Sequence, residues 1–202
     1  YSNEYVESVW WALKTLHEKG LLYLGHKILP YCARCGTALS SHEVAQGYQD
    51  VEDPSVYVAL DLVPSAGAAS ALPAAPSGVK RRRIVVWTTT PWTLVSNTAV
   101  AVKPDATYQV VRVPGEFGDS ELLVIAEELR EAKLPEGHEV LASMPGRELE
   151  HTGYSRPFDL IDIPDAHYVI LAEYVTTEDG SGLVHQAPAF GADDLVSCRG
   201  YG

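Results

Sequence analysis

Three groups of residues in this sequence have the types and spacing for chemistry. Thr88, Thr89 and Thr90 stand in a row between Trp87 and the pair Pro91-Trp92. His185 lies in a short apolar run entered through Gly180-Ser181-Gly182 and stopped by Pro188, with Asp193 and Asp194 soon after. Cys32 and Cys35 are spaced as C-x-x-C ahead of Gly36. Threonines at the end of a strand offer hydroxyls on alternating faces, beside backbone groups about to lose their ladder partners, because Pro91 has no N–H to donate. Trp87 and Trp92 would bracket such a place with flat apolar surfaces. This is how a polar cleft for a small ligand can be built, although β propensity accounts for a threonine run equally well. Two thiolates on a turn suit a tetrahedral zinc ion, but zinc wants four ligands. His42 is the near candidate, Cys198 is distant, and a reduced, empty thiol pair is the competing reading. There is no Gly-x-Ser-x-Gly elbow, and no base stands beside the threonines. That favours direct attack by water, with the protein positioning groups and stabilising charge.

The elements that must position these residues follow from periodicity and punctuation. Residues 3–19 read as an amphipathic helix, with Val6, Val9, Trp10, Leu13 and Leu16 at helical spacing, Ser2 or Asn3 as cap and Gly20 in the left-handed closing position. Period-two alternation marks strands at 56–62 and 108–113, and the basic and β-branched run at 81–86 reads as a strand entering from a loop. Shorter strands are expected at 97–102, 122–125, 139–142, 168–173 and 183–186, with helices at 126–132 and 193–199. Residues 64–78 are Ala, Pro, Ser and Gly with one leucine and no charge. Such a stretch buries too little to offset its ordering entropy, so a flexible loop of about 64–80 is expected. Many short strands separated by turn residues point to a mainly β barrel or sandwich.

Composition bounds the rest. The chain has 202 residues, 46% hydrophobic and 21% charged, with a net charge of −12. That length allows one core with an appendage. Residue 1 is Tyr1 and the only methionine is Met144, as expected of a piece of a longer protein. No apolar run approaches the roughly 20 residues that span a bilayer, and three cysteines suit a reducing, cytoplasmic compartment better than a disulfide framework. The negative charge argues against a module that grips nucleic acid by itself, since phosphate neutralisation supplies most non-specific affinity. The one basic cluster is Lys80-Arg81-Arg82-Arg83, so any RNA would be held mainly elsewhere and meet this piece only at its end.

The stretches from Trp87 to Leu94 and from Gly180 to Asp194 together resemble the editing (CP1) domain of bacterial-type isoleucyl-tRNA synthetase. Valyl- and leucyl-type editing domains usually carry arginine where this chain has Thr90, and they lack the run His185-Gln186-Ala187-Pro188-Ala189-Phe190-Gly191. The likeness also takes in residues 30–45 and the tail, leaving out little beyond 64–80. It implies a closed β-barrel with small peripheral helices at 51–202, joined to the synthetase core through a stem at 1–50 made of the N-terminal helix and half a zinc ribbon. In that family a second cysteine pair beyond the editing insertion completes the zinc site, so Cys32 and Cys35 would be a half site, structural and not catalytic. Editing itself needs no cofactor; ATP and magnesium belong to the parent's synthetic site, absent from this chain.

The resemblance also implies the substrate and the roles. The substrate is valine misattached to the 3′ end of tRNA(Ile), or valyl-adenylate, hydrolysed by water while isoleucine is excluded. Asp194 would receive the α-ammonium, whereas Asp193 is better explained by the favourable dipole of a helix first turn. Thr88, Thr89 and Thr90 would bind the ester or adenylate, the attacking water and the amino acid. Trp92 would flank the terminal adenosine, Asn97 would orient water or ribose, and His185 would line the side-chain pocket and act as its size gate. A valyl-type domain that removes threonine, a hydrolase of another ester or thioester, and a non-catalytic RNA-contacting insertion are the alternatives.

Overall fold

The computed structural model describes residues 2–63, 72–115 and 119–202. The chain divides into two compact units, Tyr1–Val44 and Ala45–Gly202.

The first unit opens with helix α1, Asn3–Glu18, and both its ends follow from local chemistry. The Ser2 side chain accepts from the Tyr5 N–H. At the other end Gly20 adopts φ +70°, its N–H reaches His17 O, and the Leu21 N–H reaches back to Leu16 O at 3.0 Å. This is a left-handed glycine closing a helix by satisfying its last carbonyls. Trp10 and Trp11 are both exposed. Strands β1, Tyr31–Cys32, and β2, Thr37–Ala38, form a two-stranded hairpin. Its turn is set by Gly36 at φ +70°, whose N–H donates to Cys32 O at 2.8 Å. Helix α2, Ser41–Ala45, begins with a reciprocal cap: Ser40 N–H donates to the Glu43 carboxylate and Glu43 N–H to Ser40 Oγ.

In the second unit the strands are β3, Val56–Asp61; β4, Val79–Thr88; β5, Ala99–Val102; β6, Thr107–Pro114; β7, Ser120–Ala126; β8, Glu139–Pro145; β9, Tyr168–Leu171; and β10, Leu183–Gln186. Helix α3, Glu127–Lys133, follows β7, and α4, Ala192–Arg199, closes the unit. The eight strands make one curled sheet in the order β8-β6-β7-β4-β10-β5-β9, with β3 also on β4. β4 is the hub. Its Ile84 and Trp87 each have two partners, so β3 lies along one edge while β7 and then β10 share the other. Because β4 and β10 run parallel, their carboxyl ends, at Thr88 and Gln186, lie side by side.

The sheet curls around an apolar core that includes Ile84, Val86, Val100, Val102, Leu122, Val124 and Leu183. Tyr108 is fully buried inside it, and its hydroxyl donates to Gly182 O at 2.7 Å and accepts from Lys103 N–H at 3.0 Å. A buried phenol is tolerated there because both its roles are filled. Gly182 has φ +75°, and a Cβ on it would stand 2.3 Å from the Ala126 Cβ, so only glycine lets the entry to β10 pass the end of β7.

Three expectations need adjustment. The anticipated closed barrel is not completed by ladders: β8 and β9 end the path, and the free edge of β3 is tied to β9 by isolated bridges, Leu62 with Tyr154 and Gly153 with Tyr168. The strand expected at 81–86 begins at Val79 and runs to Thr88, because β7 pairs with its first half and β3 and β10 with its second. The anticipated loop at 64–80 therefore ends before Val79, and its residues 64–71 lie outside the described residues.

Candidate functional site

The parallel pairing of β4 with β10 brings the two polar stretches together. Past Thr88 the chain turns through a 3-10 segment, Pro91–Ser96, while past Gln186 it runs through Pro188 into α4. Between them lies a cleft of about 440 Å³, lined by Trp87, Thr88, Thr89, Thr90, Trp92 and Thr93 from one side and by Val184, His185, Ala187, Phe190, Gly191 and Asp194 from the other. Ligand clefts outside the carboxyl ends of parallel strands are a recurrent outcome of sheet geometry.

The threonines form a connected row. Thr88 is buried, and its Oγ1 accepts from the Thr90 N–H at 3.0 Å and lies 3.3 Å from Thr90 Oγ1. Thr90 Oγ1 is 3.4 Å from Thr93 Oγ1, which donates to Thr90 O at 2.8 Å. Thr89 and Thr90 themselves are exposed to the cleft. Trp87 packs against the chain entering β10; a Cβ on Gly180 would come within 2.7 Å of its ring. Trp92 is 63% exposed and forms the outer lip.

Opposite the threonines, Asp194 sits in the first turn of α4. Its Oδ2 accepts from the Ala187 N–H at 2.8 Å, which fixes the carboxylate and leaves its other oxygen for the cleft. Gly191 makes room for it, since a Cβ there would stand 2.6 Å from the Asp194 Cγ. Asp193 is exposed and does not line the cleft. His185 is buried at 6% exposure, with Nε2 2.8 Å from Thr93 Oγ1. Burial pushes its pKa down, opposed in part by the Asp194 charge, so the imidazole is held neutral.

The structure thus gathers Thr88, Thr89, Thr90, Trp92, His185 and Asp194 around one cleft. It does not place Asn97 there. That residue is 3% exposed, and its amide is engaged by Ala99 O, Tyr154 and His185. It is not among the side chains that line the cleft, and the role expected of it, orienting water or ribose, would have to be exercised from behind that lining. Thr93, in contrast, carries the contact to His185 without having been assigned a role from the sequence. The signal available for it was its place three residues after Thr90, the spacing of one turn of a 3-10 helix.

The remaining candidates lie outside this cleft. Cys35 N–H donates to Cys32 Sγ at 3.3 Å, and this backbone bond lowers the Cys32 pKa, while the proximity of Cys32 raises that of Cys35. Among the described residues no group of three or more His, Cys, Asp and Glu gathers as a metal site. In the basic run, Lys80 pairs with Asp119 at 2.8 Å and Arg83 with Glu121, which offsets two of its four positive charges and leaves those of Arg81 and Arg82 outside these pairs. No helix among the described residues is long and apolar enough to cross a membrane.

Comparison with known proteins places these features in a family. The family model of class I tRNA synthetases (I, L, M and V) matches residues 1–178. Isoleucine–tRNA ligases of Streptomyces coelicolor, Thermobifida fusca and Thermus thermophilus are 56%, 55% and 48% identical to this chain over 98% of its length. The chain spans about a fifth of those relatives, 18% of each. Among solved structures, the crystal structure of GlLeuRS-CP1 has the same fold, with a TM-score of 0.55 at 16% identity, covering 71% of this chain and 58% of that one. The cleft described above therefore belongs to a member of a known enzyme family: this chain is part of the class I tRNA synthetases of the isoleucine, leucine, methionine and valine group.

Proposed function

We propose that the chain is the editing module of an isoleucine–tRNA ligase and hydrolyses valine misattached to tRNA(Ile), or valyl-adenylate, by direct attack of water. The observation that carries this reading is the Asp194 carboxylate, fixed by Ala187 N–H on one oxygen and facing a row of threonine hydroxyls across one cleft. The free oxygen offers a charge-assisted bond to an α-ammonium. Thr89 and Thr90 are exposed at the place where an ester carbonyl and its attacking water would then lie, and Thr88 holds the Thr90 backbone. Trp92 offers a flat surface to the terminal adenosine. Water orientation supplies the rate by proximity rather than by a covalent intermediate.

The need for such a site is quantitative. One methylene in a pocket is worth only about 1–3 kcal/mol, a range for which isoleucine against valine is itself the standard illustration rather than a result from this chain. A second pocket must then reject the larger side chain by obstruction, since apolar attraction favours isoleucine. His185 suits that role: it is neutral, buried and hydrogen-bonded to Thr93.

The wider setting is part of the same proposal. The net charge of −12 and a single basic run, two of whose four cations are ion-paired, fit a module that receives only the end of an RNA held elsewhere, by the rest of the synthetase chain. The bridges at Leu62 and Gly153 act as the seam of a closed barrel. Cys32 and Cys35 would be two ligands of a structural zinc whose others come from beyond the motif; the Cys35 N–H on Cys32 Sγ favours the Cys32 thiolate, while Cys35, whose pKa Cys32 raises, would rely on the metal for its own. The test is deacylation of Val-tRNA(Ile), Ile-tRNA(Ile) and Thr-tRNA(Val), with simple thioesters as controls. Preferential loss of the valyl ester supports the reading. Preference for the threonyl ester assigns valyl-type editing, preference for thioesters a different hydrolase, and tRNA binding without hydrolysis a non-catalytic insertion.

A further inference from the structure

Behind the cleft wall a file of buried polar side chains leads up to His185, and its inner members, Tyr154 and Asn97, are left unused by the hydrolytic proposal. Tyr154 is 2% exposed, and its hydroxyl donates to Asn97 Oδ1 at 2.6 Å. The Asn97 Nδ2 donates to Ala99 O at 3.0 Å and stands 3.5 Å from His185 Nδ1. His185 Nε2 lies 2.8 Å from Thr93 Oγ1, which donates its own proton to Thr90 O at 2.8 Å.

One arrangement of protons satisfies all of these contacts together. A backbone carbonyl only accepts, so Ala99 O requires the nitrogen of the Asn97 amide and not its oxygen. The oxygen is left for Tyr154, and the second amide hydrogen points at His185 Nδ1. A proton on Nδ1 would set N–H against N–H, so Nδ1 is bare and the imidazole proton sits on Nε2. Thr93 gives its hydrogen to Thr90 O, so it must accept from Nε2. Donors and acceptors alternate along the file without remainder. A buried polar file satisfied throughout is rigid, whereas one missing link leaves an orphan that reshuffles the rest.

We propose that Tyr154 is a positioning residue that, through the Asn97 amide, locks His185 as its Nε2–H tautomer and holds the imidazole still as the wall of the cleft. Tyr154 is not among the residues that line the cleft. It lies on the segment that bridges β3 to β9, so the stiffness of the wall depends on the seam of the sheet. A second histidine, His167, places Nε2 3.1 Å from Asn97 O and steadies the same residue from its backbone side. The consequence for selectivity rests on the editing reading; the proton arrangement does not.

The test combines a spectroscopic and a kinetic readout on the chain and on two variants. Nitrogen-15 spectra of the His185 ring report the tautomer directly. Wild type is expected to show Nε2–H alone. Tyr154→Phe keeps the ring and removes the hydroxyl, and is expected to give mixed or exchange-broadened ring signals. Asn97→Asp replaces the donor with an acceptor and is expected to move the proton to Nδ1. In deacylation, Tyr154→Phe is expected to lower the ratio of valyl to isoleucyl ester hydrolysis by roughly tenfold while the valyl rate stays within about threefold of wild type. A wild-type proton on Nδ1 overturns the proposal. So does a Tyr154→Phe chain that keeps both tautomer and ratio, or one whose tautomer changes while the ratio does not. If Tyr154→Phe fails to fold, Asn97→Asp decides, and an unmoved tautomer there overturns the lock. Wild type that hydrolyses neither ester sinks the editing reading, and the spectra then decide the lock alone.

Discussion

Replacing Asp194 by asparagine isolates the charge that the proposed chemistry needs. The Ala187 N–H donates to Asp194 Oδ2 at 2.8 Å, and Ala187 is 1% exposed. In Asp194→Asn the amide oxygen can keep that bond, which turns the NH₂ group toward the cleft. The substrate's ammonium would then meet a donor where it had met a carboxylate oxygen. Loss of a charge-assisted hydrogen bond costs about 1.5–3 kcal/mol, which is roughly ten- to 150-fold in kcat/KM. With a donor now facing a donor, the upper end of that range is expected. Asp194→Ala behaves differently, because it also strips the buried Ala187 N–H of its partner. An orphaned buried donor costs about 1–3 kcal/mol of stability, so the alanine variant should lose both activity and stability while the asparagine variant loses activity alone. Deacylation of Val-tRNA(Ile), read beside urea midpoints for both variants, separates the two effects. Asp194→Asn hydrolysing within about threefold of wild type would refute the ammonium-binding role, and equal midpoints for the two variants would refute the structural role of the Ala187 bond.

Three further outcomes follow from the same geometry. His185→Ala should retain hydrolysis of the valyl ester and gain hydrolysis of the isoleucyl ester, because a one-methylene clash of about 1–3 kcal/mol is removed; equal loss on both substrates would make His185 catalytic or structural instead. Gly191→Ala puts a Cβ 2.6 Å from the Asp194 Cγ and 2.8 Å from its Oδ2, so it should displace the carboxylate and lower valyl ester hydrolysis by about tenfold or more with little change in fold, as checked by kinetics with circular dichroism. The pH dependence of stability has a definite sign. Burial depresses the folded pKa of His185, and of His167, below the ordinary 6.5, so the folded state binds fewer protons than the unfolded one. Their contribution is complete above about pH 6.5 and is lost as pH falls from there through the folded values. Urea midpoints should therefore fall between about pH 7 and 5, and His185→Gln should flatten that decline.

Much of this protein was legible in the sequence because the deciding forces are local. Helix α1 is set by a serine cap and a left-handed glycine within three residues of its ends. β3 and β6 declare themselves by alternation, and the Cys32 turn by Gly36. The two stretches that carry chemistry are legible as stretches, since Pro91 and Pro188 end their strands wherever those strands lie. Tertiary structure alone decided that they meet. Nothing within residues 87–94 specifies that β10 will run parallel beside β4, because that pairing depends on the shared core and on Gly182 clearing Ala126. Nor could the sequence distinguish a cleft residue from one behind it. Asn97 and Thr93 are both polar residues near a turn, and what separates their roles is which buried donors and acceptors, Tyr154, His185 and Thr90 among them, the fold brings within hydrogen-bond distance. Side-chain hydrogen bonds across long sequence separations leave no periodic trace, so only the packed structure shows which polar group faces the substrate and which one holds the wall.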